Sequence, residues 1–242
     1  MKPTQIPPAG PSHSWAREKF DLKSRAETYP SQYESHRHDR REKAFILEFL
    51  KSIPSGSRVL DIPCGTGRLS RLLVERGYHV TGADAAGAML DKARENHQEY
   101  GRQQGAKVPS VQFELRDVLA TGYPNDSFDA ITCIRLFHHF YEPETRVRAL
   151  CEQRRICRGP IVLTFRKSFA LDYVRYWLKS KIRIRTKLHM LPISMKTFAA
   201  EIATAGLQID DSRAAQWGIS SRWFLLLSRR EVASKPVRSD AA

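Results

Sequence analysis

The feature that most constrains the fold of this chain is a short apolar run that leads into a glycine-containing turn and then an amphipathic segment. Residues 59–62 fit a buried strand that is too short to be a helix. The turn carries Gly65 and Gly67, and leucines recur at helical spacing across residues 68–76. A strand, a glycine turn and a helix N-terminus bring backbone N–H groups close to a ligand. The sequence therefore predicts a nucleotide-like cofactor at this turn.

The rest of the chain alternates predicted strands with predicted helices. Further apolar runs occupy residues 79–83, 111–115, 128–134 and 160–165. Helical patterns occupy residues 68–76, 87–100, 145–157 and 194–205, the last with Ser194 as its N-cap. Residues 207–216 and 222–228 fit two final strands. The alternation predicts an α/β fold with a parallel sheet, helices on both faces and ligands at the carboxyl ends of the strands.

Two cofactor classes use such a turn, and the acidic residues around it help to separate them. A dinucleotide site expects G-x-G-x-x-G, with an acidic side chain about 20 residues later. Here Ser70 stands at the third glycine position and Asp84 ends the next apolar run. Asp61 lies in the first strand, where a carboxylate repels a pyrophosphate but accepts from a cationic amino-acid group. Together with Asp117 after the third strand, these carboxylates shift the prediction away from a dinucleotide.

Four stretches in order carry a family resemblance: VLDIPCGTGRLSRLL, HVTGADAAGAML, FELRDVLATGYPNDSFDAITC and LFHHF. They resemble the class I S-adenosylmethionine-dependent methyltransferases, of the small-molecule type that includes the ubiquinone and menaquinone enzymes. The similarity spans residues 58–165. It implies a Rossmann-like, seven-stranded, mostly parallel sheet flanked by helices, in which the last two strands form an antiparallel hairpin. It also implies S-adenosylmethionine as the cofactor.

The resemblance assigns roles to individual positions of this sequence. Asp61 and the turn from Gly65 to Gly67 are expected to hold the methionine part, Asp84 the ribose hydroxyls and Asp117 the adenine amino group. The other expected cofactor contacts are Pro63, Cys64, Arg68, Ala85, Met89, Val118 and Ile134. The family usually has glycine at the position of Pro63, so we expect a stiffer turn that still binds the cofactor.

The ends of the chain differ in composition from its centre. Residues 1–14 are rich in proline and poor in apolar side chains, and they predict a disordered leader; residues 231–242 predict a disordered tail. Residues 15–230 are then predicted to form a single methyltransferase domain. By the resemblance, the segment ahead of the first strand is a helical lid across the cofactor. Tyr29 and Tyr33 in this lid are predicted acceptor contacts, with simple packing as the competing role.

A pair of histidines follows the fourth predicted strand. Methyl transfer from a sulfonium to an oxygen or carbon acceptor needs a positioned acceptor, exclusion of water and removal of a proton. His138 and His139 are predicted at the carboxyl edge of the sheet, where a histidine can act as a general base; walling the pocket is the alternative role. Arg135 and Tyr141 flank this edge and are predicted to hold an acidic acceptor. No cluster of side chains has metal-ligand spacing, so no metal is predicted.

The basic charge of the chain is concentrated in one segment. Forty Lys and Arg against 26 Asp and Glu give a net charge of +14, which favours an anionic partner. Residues 166–196 contain nine basic residues and one acidic residue, and Tyr173 and Trp177 lie on one predicted helical face. We predict that this insertion after the fifth strand is an acceptor-side cap that docks on an anionic membrane surface. A solvated basic face is the alternative.

Three classes of function remain open at this stage. A methyltransferase acting on a small molecule, anionic or membrane-associated and of lipid, quinone or glycolipid type, is favoured. A nucleic-acid (RNA) methyltransferase is less favoured because no Asn-Pro-Pro-Tyr-like motif follows the fourth strand, and a non-catalytic S-adenosylmethionine-binding protein is the third class. Four dispersed cysteines and the lack of an apolar run of membrane-spanning length predict a cytoplasmic protein, with peripheral association at the inner face of a membrane as an option.

Overall fold

A computed structural model describes residues 11–28, 37–104, 109–168, 192–216 and 220–230 of the chain. Tyr29, Tyr33, Tyr173 and Trp177 lie outside the described residues, as do most of the basic insertion and the predicted tail. None of the described helices combines the length and the apolar composition that crossing a bilayer requires.

The centre of the fold is a seven-stranded sheet with the order β3-β2-β1-β4-β5-β7-β6. Its strands are β1 (Arg58–Asp61), β2 (His79–Asp84), β3 (Gln112–Leu115), β4 (Ala130–Cys133), β5 (Ile161–Arg166), β6 (Leu207–Ala214) and β7 (Arg222–Arg229). Strands β1 to β5 are parallel, whereas β7 runs antiparallel to both β5 and β6. The predicted Rossmann-like sheet, including its antiparallel C-terminal hairpin, is confirmed.

Seven α-helices are described around this sheet. They are α1 (Pro11–Phe20), α2 (Lys23–Thr28), α3 (Arg37–Phe49), α4 (Arg68–Glu75), α5 (Gly87–Gln104), α6 (Pro143–Ile156) and α7 (Met195–Thr204), with a short 3-10 helix at Phe137–His139. Helix α6 begins at a proline, whose missing N–H costs nothing in the first turn. Ser194 is the N-cap of α7, as predicted, because its Oγ accepts from the Thr197 N–H at 3.0 Å.

Alternating side chains of the strands divide the core between the two faces of the sheet. Val59 packs with α3 and α4 on one face, and the next residue, Leu60, packs with α6 and α7 on the other. Val162 and Leu163 of β5 divide in the same way. Because both faces are covered, the central strands are mostly apolar and do not alternate between apolar and polar residues. Each fully buried Leu or Val contributes about 1.5–3 kcal/mol to this core.

The structure corrects the prediction of a disordered leader up to residue 14. Residues 11–14 form the first turn of α1, and Ser12 is buried. The Ser12 N–H donates to Glu142 Oε1 at 3.2 Å, and the Ser12 hydroxyl donates to Glu142 Oε2. Polar contacts with a distant residue, Glu142, hold this turn. The prediction of disorder rested on the low apolar content of the segment, which does not reveal such contacts. Residues 1–10 lie outside the described residues.

Candidate active site

A cleft opens at the carboxyl ends of the parallel strands and encloses about 990 Å³ of empty space, including its open mouth. Its walls come from α1, from the segments that follow β1, β2 and β3, and from the segment between β4 and the 3-10 helix. Eleven of the twelve positions predicted to bind the cofactor line it: Asp61, Pro63, Cys64, Gly65, Arg68, Asp84, Ala85, Met89, Asp117, Val118 and Ile134. The sequence prediction therefore converges on one place in the structure.

Gly67 is the twelfth predicted position, and it is not among the lining residues that the structure describes. Its φ of 79° lies in the left-handed region that favours glycine. A Cβ at this position would lie 3.2 Å from the Ala93 Cβ and 3.3 Å from the Phe113 ring. Gly67 therefore sets the path of the turn and its close packing on α5, and the ligand-facing surface comes from Gly65.

Asp61 is a buried carboxylate at the end of β1 that faces the cleft. Its Oδ2 accepts from the Ser70 hydroxyl at 2.7 Å, and its Oδ1 accepts from the Thr132 hydroxyl at 2.9 Å. Burial raises the pKa of Asp61 to about 6, although these two hydrogen bonds act in the opposite direction. A cationic ligand group beside Asp61 would favour its charged form and would itself be held by it.

Asp84, at the end of β2, joins the turns that follow two neighbouring strands. Its Oδ2 accepts from the Gly65 N–H and its Oδ1 accepts from the Ala86 N–H, each at 2.9 Å. Burial raises the pKa of Asp84 to about 6, opposed by the backbone hydrogen bonds. Asp84 thus holds the glycine turn in place and also presents a carboxylate to the cleft.

Asp117, after β3, is paired with a histidine from the N-terminal helix. Its Oδ1 accepts from the Leu119 N–H at 2.8 Å and lies 3.0 Å from His13 Nε2. Burial alone would raise the pKa of Asp117, but the hydrogen bonds from His13 and Leu119 outweigh it and the pKa lies below its usual value. His13 lines the cleft, yet the sequence prediction placed it in a disordered leader.

Glu42 of α3, a fully buried carboxylate that was not predicted, holds two arginines that line the cleft, Arg68 and Arg135. Glu42 accepts from the guanidinium groups of Arg68, Arg135 and Arg222. Arg135 approaches with two nitrogens, Nη2 at 2.9 Å from Oε1 and Nε at 3.2 Å from Oε2. Arg68, predicted as a cofactor contact, lines the cleft but its guanidinium also pairs with Asp39.

Arg135 adopts a backbone conformation that is uncommon for a residue with a side chain. Its φ is 65°, and its N–H donates to the Thr164 hydroxyl at 2.8 Å. Such conformations cost free energy and concentrate at functional sites. Here the conformation carries the Arg135 side chain to Glu42 and to the wall of the cleft, and its contact with an acceptor stays a prediction.

The two predicted catalytic histidines occupy different positions. His139 lines the cleft, with its ring centroid 5.3 Å from that of Phe20 and 4.0 Å from that of His138. His138 is not among the lining residues that the structure describes. Burial, the neighbouring His139 and nearby arginines, including Arg166, keep the pKa of His138 well below its usual value. The site thus brings one histidine of the pair to the cleft.

Tyr141, a predicted acceptor contact, is not among the described residues that line the cleft. Its ring stacks on that of Trp15 with centroids 6.5 Å apart, and it is partly exposed. Tyr141 therefore packs on α1 beside the cleft, and its contact with an acceptor stays a prediction.

This fold and this site define a class of protein. A Rossmann-like sheet with an antiparallel C-terminal hairpin carries successive acidic residues at the carboxyl ends of β1, β2 and β3, around a glycine turn. Such an edge binds an adenosine-containing cofactor that bears a cationic amino-acid group rather than a pyrophosphate.

Comparison with known proteins gives the family. A model described as a methyltransferase domain matches residues 59–159. The ubiquinone biosynthesis O-methyltransferase of Xanthomonas axonopodis pv. citri (strain 306) is 31% identical over 183 residues, 74% of each chain. The mouse tRNA (carboxymethyluridine(34)-5-O)-methyltransferase is 37% identical over 113 residues, which are 47% of this chain and 15% of that protein. The chain belongs to the class I S-adenosylmethionine-dependent methyltransferases.

A solved structure shows the same fold. Magnesium protoporphyrin IX methyltransferase from Synechocystis PCC 6803, crystallised with bound SAH, superposes with a TM-score of 0.72 at 17% identity. The superposition covers 90% of this chain and 99% of that one. The cofactor of this protein is S-adenosylmethionine.

Replacing Asp84 with alanine is expected to weaken S-adenosylmethionine binding roughly tenfold or more, because hydrogen bonds to a charged group are lost. The Gly65 N–H also loses its acceptor, which loosens the glycine turn. Isothermal titration calorimetry measures the change, with the exposed Asp91 of α5 replaced by alanine as the control. Unchanged affinity in the Asp84 variant would show that the cofactor lies elsewhere.

Proposed function

We propose that this methyltransferase transfers the methyl group of S-adenosylmethionine to an oxygen atom of a small anionic acceptor of lipid or quinone type. The observation that carries the proposal is the arrangement of the cleft. The same cleft is lined by three carboxylates suited to the cofactor, Asp61, Asp84 and Asp117, and by His139 and Arg135. The names of two relatives, an O-methyltransferase and a 5-O-methyltransferase, support an oxygen acceptor.

The residues of the cleft fit the chemical groups of S-adenosylmethionine. Asp61 is placed to hold the cationic amino group, Asp84 the ribose hydroxyls and Asp117 the adenine amino group. A Cβ at Gly65 would meet nothing within 4 Å, so the turn leaves room for a ligand against its backbone. When bound, the cofactor supplies a methyl group on a positively charged sulfur, which departs as a neutral thioether.

The protein then contributes position, proton removal and exclusion of water. Where the acceptor is a phenol that binds with its proton, His139 would take that proton as the methyl group is transferred; a carboxylate acceptor is already ionised and needs no base. The rings of Phe20 and Phe140 line the cleft beside it and keep water from the reacting atoms. Ring packing against Phe20 and His138 fixes the orientation of the His139 imidazole.

The charge around His138 favours an anionic acceptor. Arg135, Arg166 and Arg222 are all close enough to His138 to lower its pKa, and Arg135 and Arg222 share one carboxylate, Glu42, so positive charge is in excess around His138. A positive potential stabilises a carboxylate or a phenolate and also lowers the pKa of a bound phenol. Arg135 lines the cleft and is the side chain placed to contact such a group.

The direct test measures methyl transfer from radiolabelled S-adenosylmethionine to a panel of acceptors. Polyprenyl phenols and fatty carboxylic acids are paired with polyprenyl alcohols and fatty alcohols, which are neutral but keep a hydroxyl that could accept a methyl group. Transfer to the acidic member of a pair and none to the neutral member supports the proposal. Cofactor binding without transfer to any member would favour a non-catalytic cofactor-binding protein.

The basic insertion extends the proposal to a membrane surface. Residues 166–196 carry a net charge of +8, and each basic residue near an anionic bilayer contributes about 1 kcal/mol. Replacing Lys179, Lys181, Arg183 and Arg185 with glutamine is expected to abolish co-sedimentation with anionic vesicles at low salt and to preserve S-adenosylmethionine affinity. If the parent protein does not sediment with such vesicles, the cap has no membrane role.

RNA is the second candidate acceptor, because the mouse relative is named as a tRNA methyltransferase and the net charge of this chain is +14. The comparison assay adds total tRNA to the acceptor panel. Methylated tRNA with no methylated lipid would favour this candidate over the first.

A further inference from the structure

We infer that His13 is a specificity-determining residue for the cofactor. The structure assigns it the task of orienting Asp117 so that the cleft accepts a purine with an amino group at C6 and rejects one with a carbonyl there. The inference rests on the proposed position of the adenine beside Asp117.

The geometry of the contact is well defined. His13 Nε2 lies 3.0 Å from Asp117 Oδ1, and the Leu119 N–H donates to the same oxygen at 2.8 Å. The His13 side chain is 12% exposed, and its ring packs against Phe140 with centroids 5.8 Å apart. Both hydrogen bonds end on Oδ1, and we assign Oδ2 to the adenine amino group.

The direction of the hydrogen bond follows from the chemistry of the pair. An ionised carboxylate accepts hydrogen bonds and donates none, so His13 Nε2 carries the hydrogen. The lowered pKa of Asp117 agrees with a carboxylate that is charged in the folded protein. Two donors from different parts of the chain, a side chain of α1 and a backbone N–H after β3, therefore hold one oxygen.

His13 is itself held in place by its neighbour in α1. The Ser12 N–H donates to Glu142 Oε1, and the Ser12 hydroxyl accepts from the Tyr141 N–H at 3.1 Å. These contacts tie the first turn of α1 to the segment that begins α6. These contacts thus fix the position of His13 next to Asp117.

A fixed carboxylate distinguishes the two purines by their hydrogen-bonding edges. Adenine presents an amino donor at C6, which Oδ2 accepts. Hypoxanthine presents a carbonyl at C6, which a carboxylate oxygen repels, and an N–H at N1. If Asp117 could pivot, it would accept from that N–H and bind both purines. By holding Oδ1, His13 prevents this rotation of the Asp117 carboxylate and so increases the preference for adenine over hypoxanthine.

The test compares calorimetric dissociation constants for S-adenosylhomocysteine and S-inosylhomocysteine, which differ only at C6 and N1. Sites that hydrogen-bond a ligand group reject analogues lacking it, so we expect the parent protein to prefer the adenosine compound at least roughly tenfold. Two variants separate the functions of His13. His13→Phe keeps a ring against Phe140 but has no N–H donor, and His13→Gln keeps a donor without the ring.

The preference is expected to fall at least roughly fivefold in His13→Phe and to stay within about twofold of the parent in His13→Gln, because only the former loses a donor to a charged acceptor. An unchanged preference in His13→Phe, or equal weakening of both ligands, would overturn the inference and leave His13 a packing residue.

Asp117→Asn is the reference for the adenine position. If Asp117→Asn keeps the parent preference, or the parent protein binds both compounds equally, the adenine does not lie at Asp117 and the inference falls with it. A parent protein that binds neither compound would contradict the cofactor assignment itself.

Discussion

Replacing His139 with glutamine is expected to lower turnover on a phenolic acceptor by roughly 10²–10⁴-fold while leaving S-adenosylmethionine affinity nearly unchanged. Glutamine has a similar size and still forms hydrogen bonds, but it cannot take up a proton at neutral pH. His139 is the histidine of the pair that lines the cleft, in the 3-10 helix that follows β4. Single-turnover kinetics separate the loss of the chemical step from any change in cofactor binding.

His138→Gln is the matched control, because both histidines are buried to the same extent and adjacent in sequence. His138 is not among the described residues of the cleft wall, so its replacement is expected to change turnover far less. Near-normal rates in both variants would mean that the histidines only wall the cleft and that the acceptor is already ionised when it binds. A large loss in His138→Gln alone would show that His138, and not His139, is the base.

The cofactor side of the site could be predicted because its residues follow the strands directly. Asp61 and Asp84 end β1 and β2, and Asp117 comes two residues after β3. The carboxyl ends of parallel strands meet at one edge of the sheet, so position along the chain fixes position in space. The strand bounds were also predicted closely, because a short apolar run between turn residues fits few structures other than a strand.

The contacts from the N-terminal segment could not be predicted in this way. His13 and Asp117 are 104 residues apart, and Glu42 is 180 residues from Arg222. A single polar residue forms no periodic pattern, so the sequence does not indicate which distant residue it contacts in the folded chain. The paired histidines show a related limit: the sequence places both at the edge, and the turn of a 3-10 helix decides which one faces the cleft.

Replacing Glu42 with alanine is expected to destabilise the protein by about 3–5 kcal/mol, because removal of one partner leaves buried charges without compensation. Arg68, Arg135 and Arg222 all donate to this one carboxylate, which is fully buried. For a domain of this size the loss corresponds to a fall in melting temperature of roughly 6–20 °C. Differential scanning calorimetry with the cofactor absent measures it.

Glu48→Ala tests whether the effect belongs to the buried cluster or to any acidic residue of α3. Glu48 lies on the same helix, but it is exposed and pairs with Lys51 one turn later, so its loss is expected to leave the melting temperature almost unchanged. If the arginines are the cause, sulfate ions should raise the melting temperature of Glu42→Ala more than that of the parent, because an anion that binds only the folded state stabilises it. A Glu42→Ala variant as stable as Glu48→Ala would show that solvent or another part of the chain compensates these arginines, and that Glu42 is not needed to hold them in place.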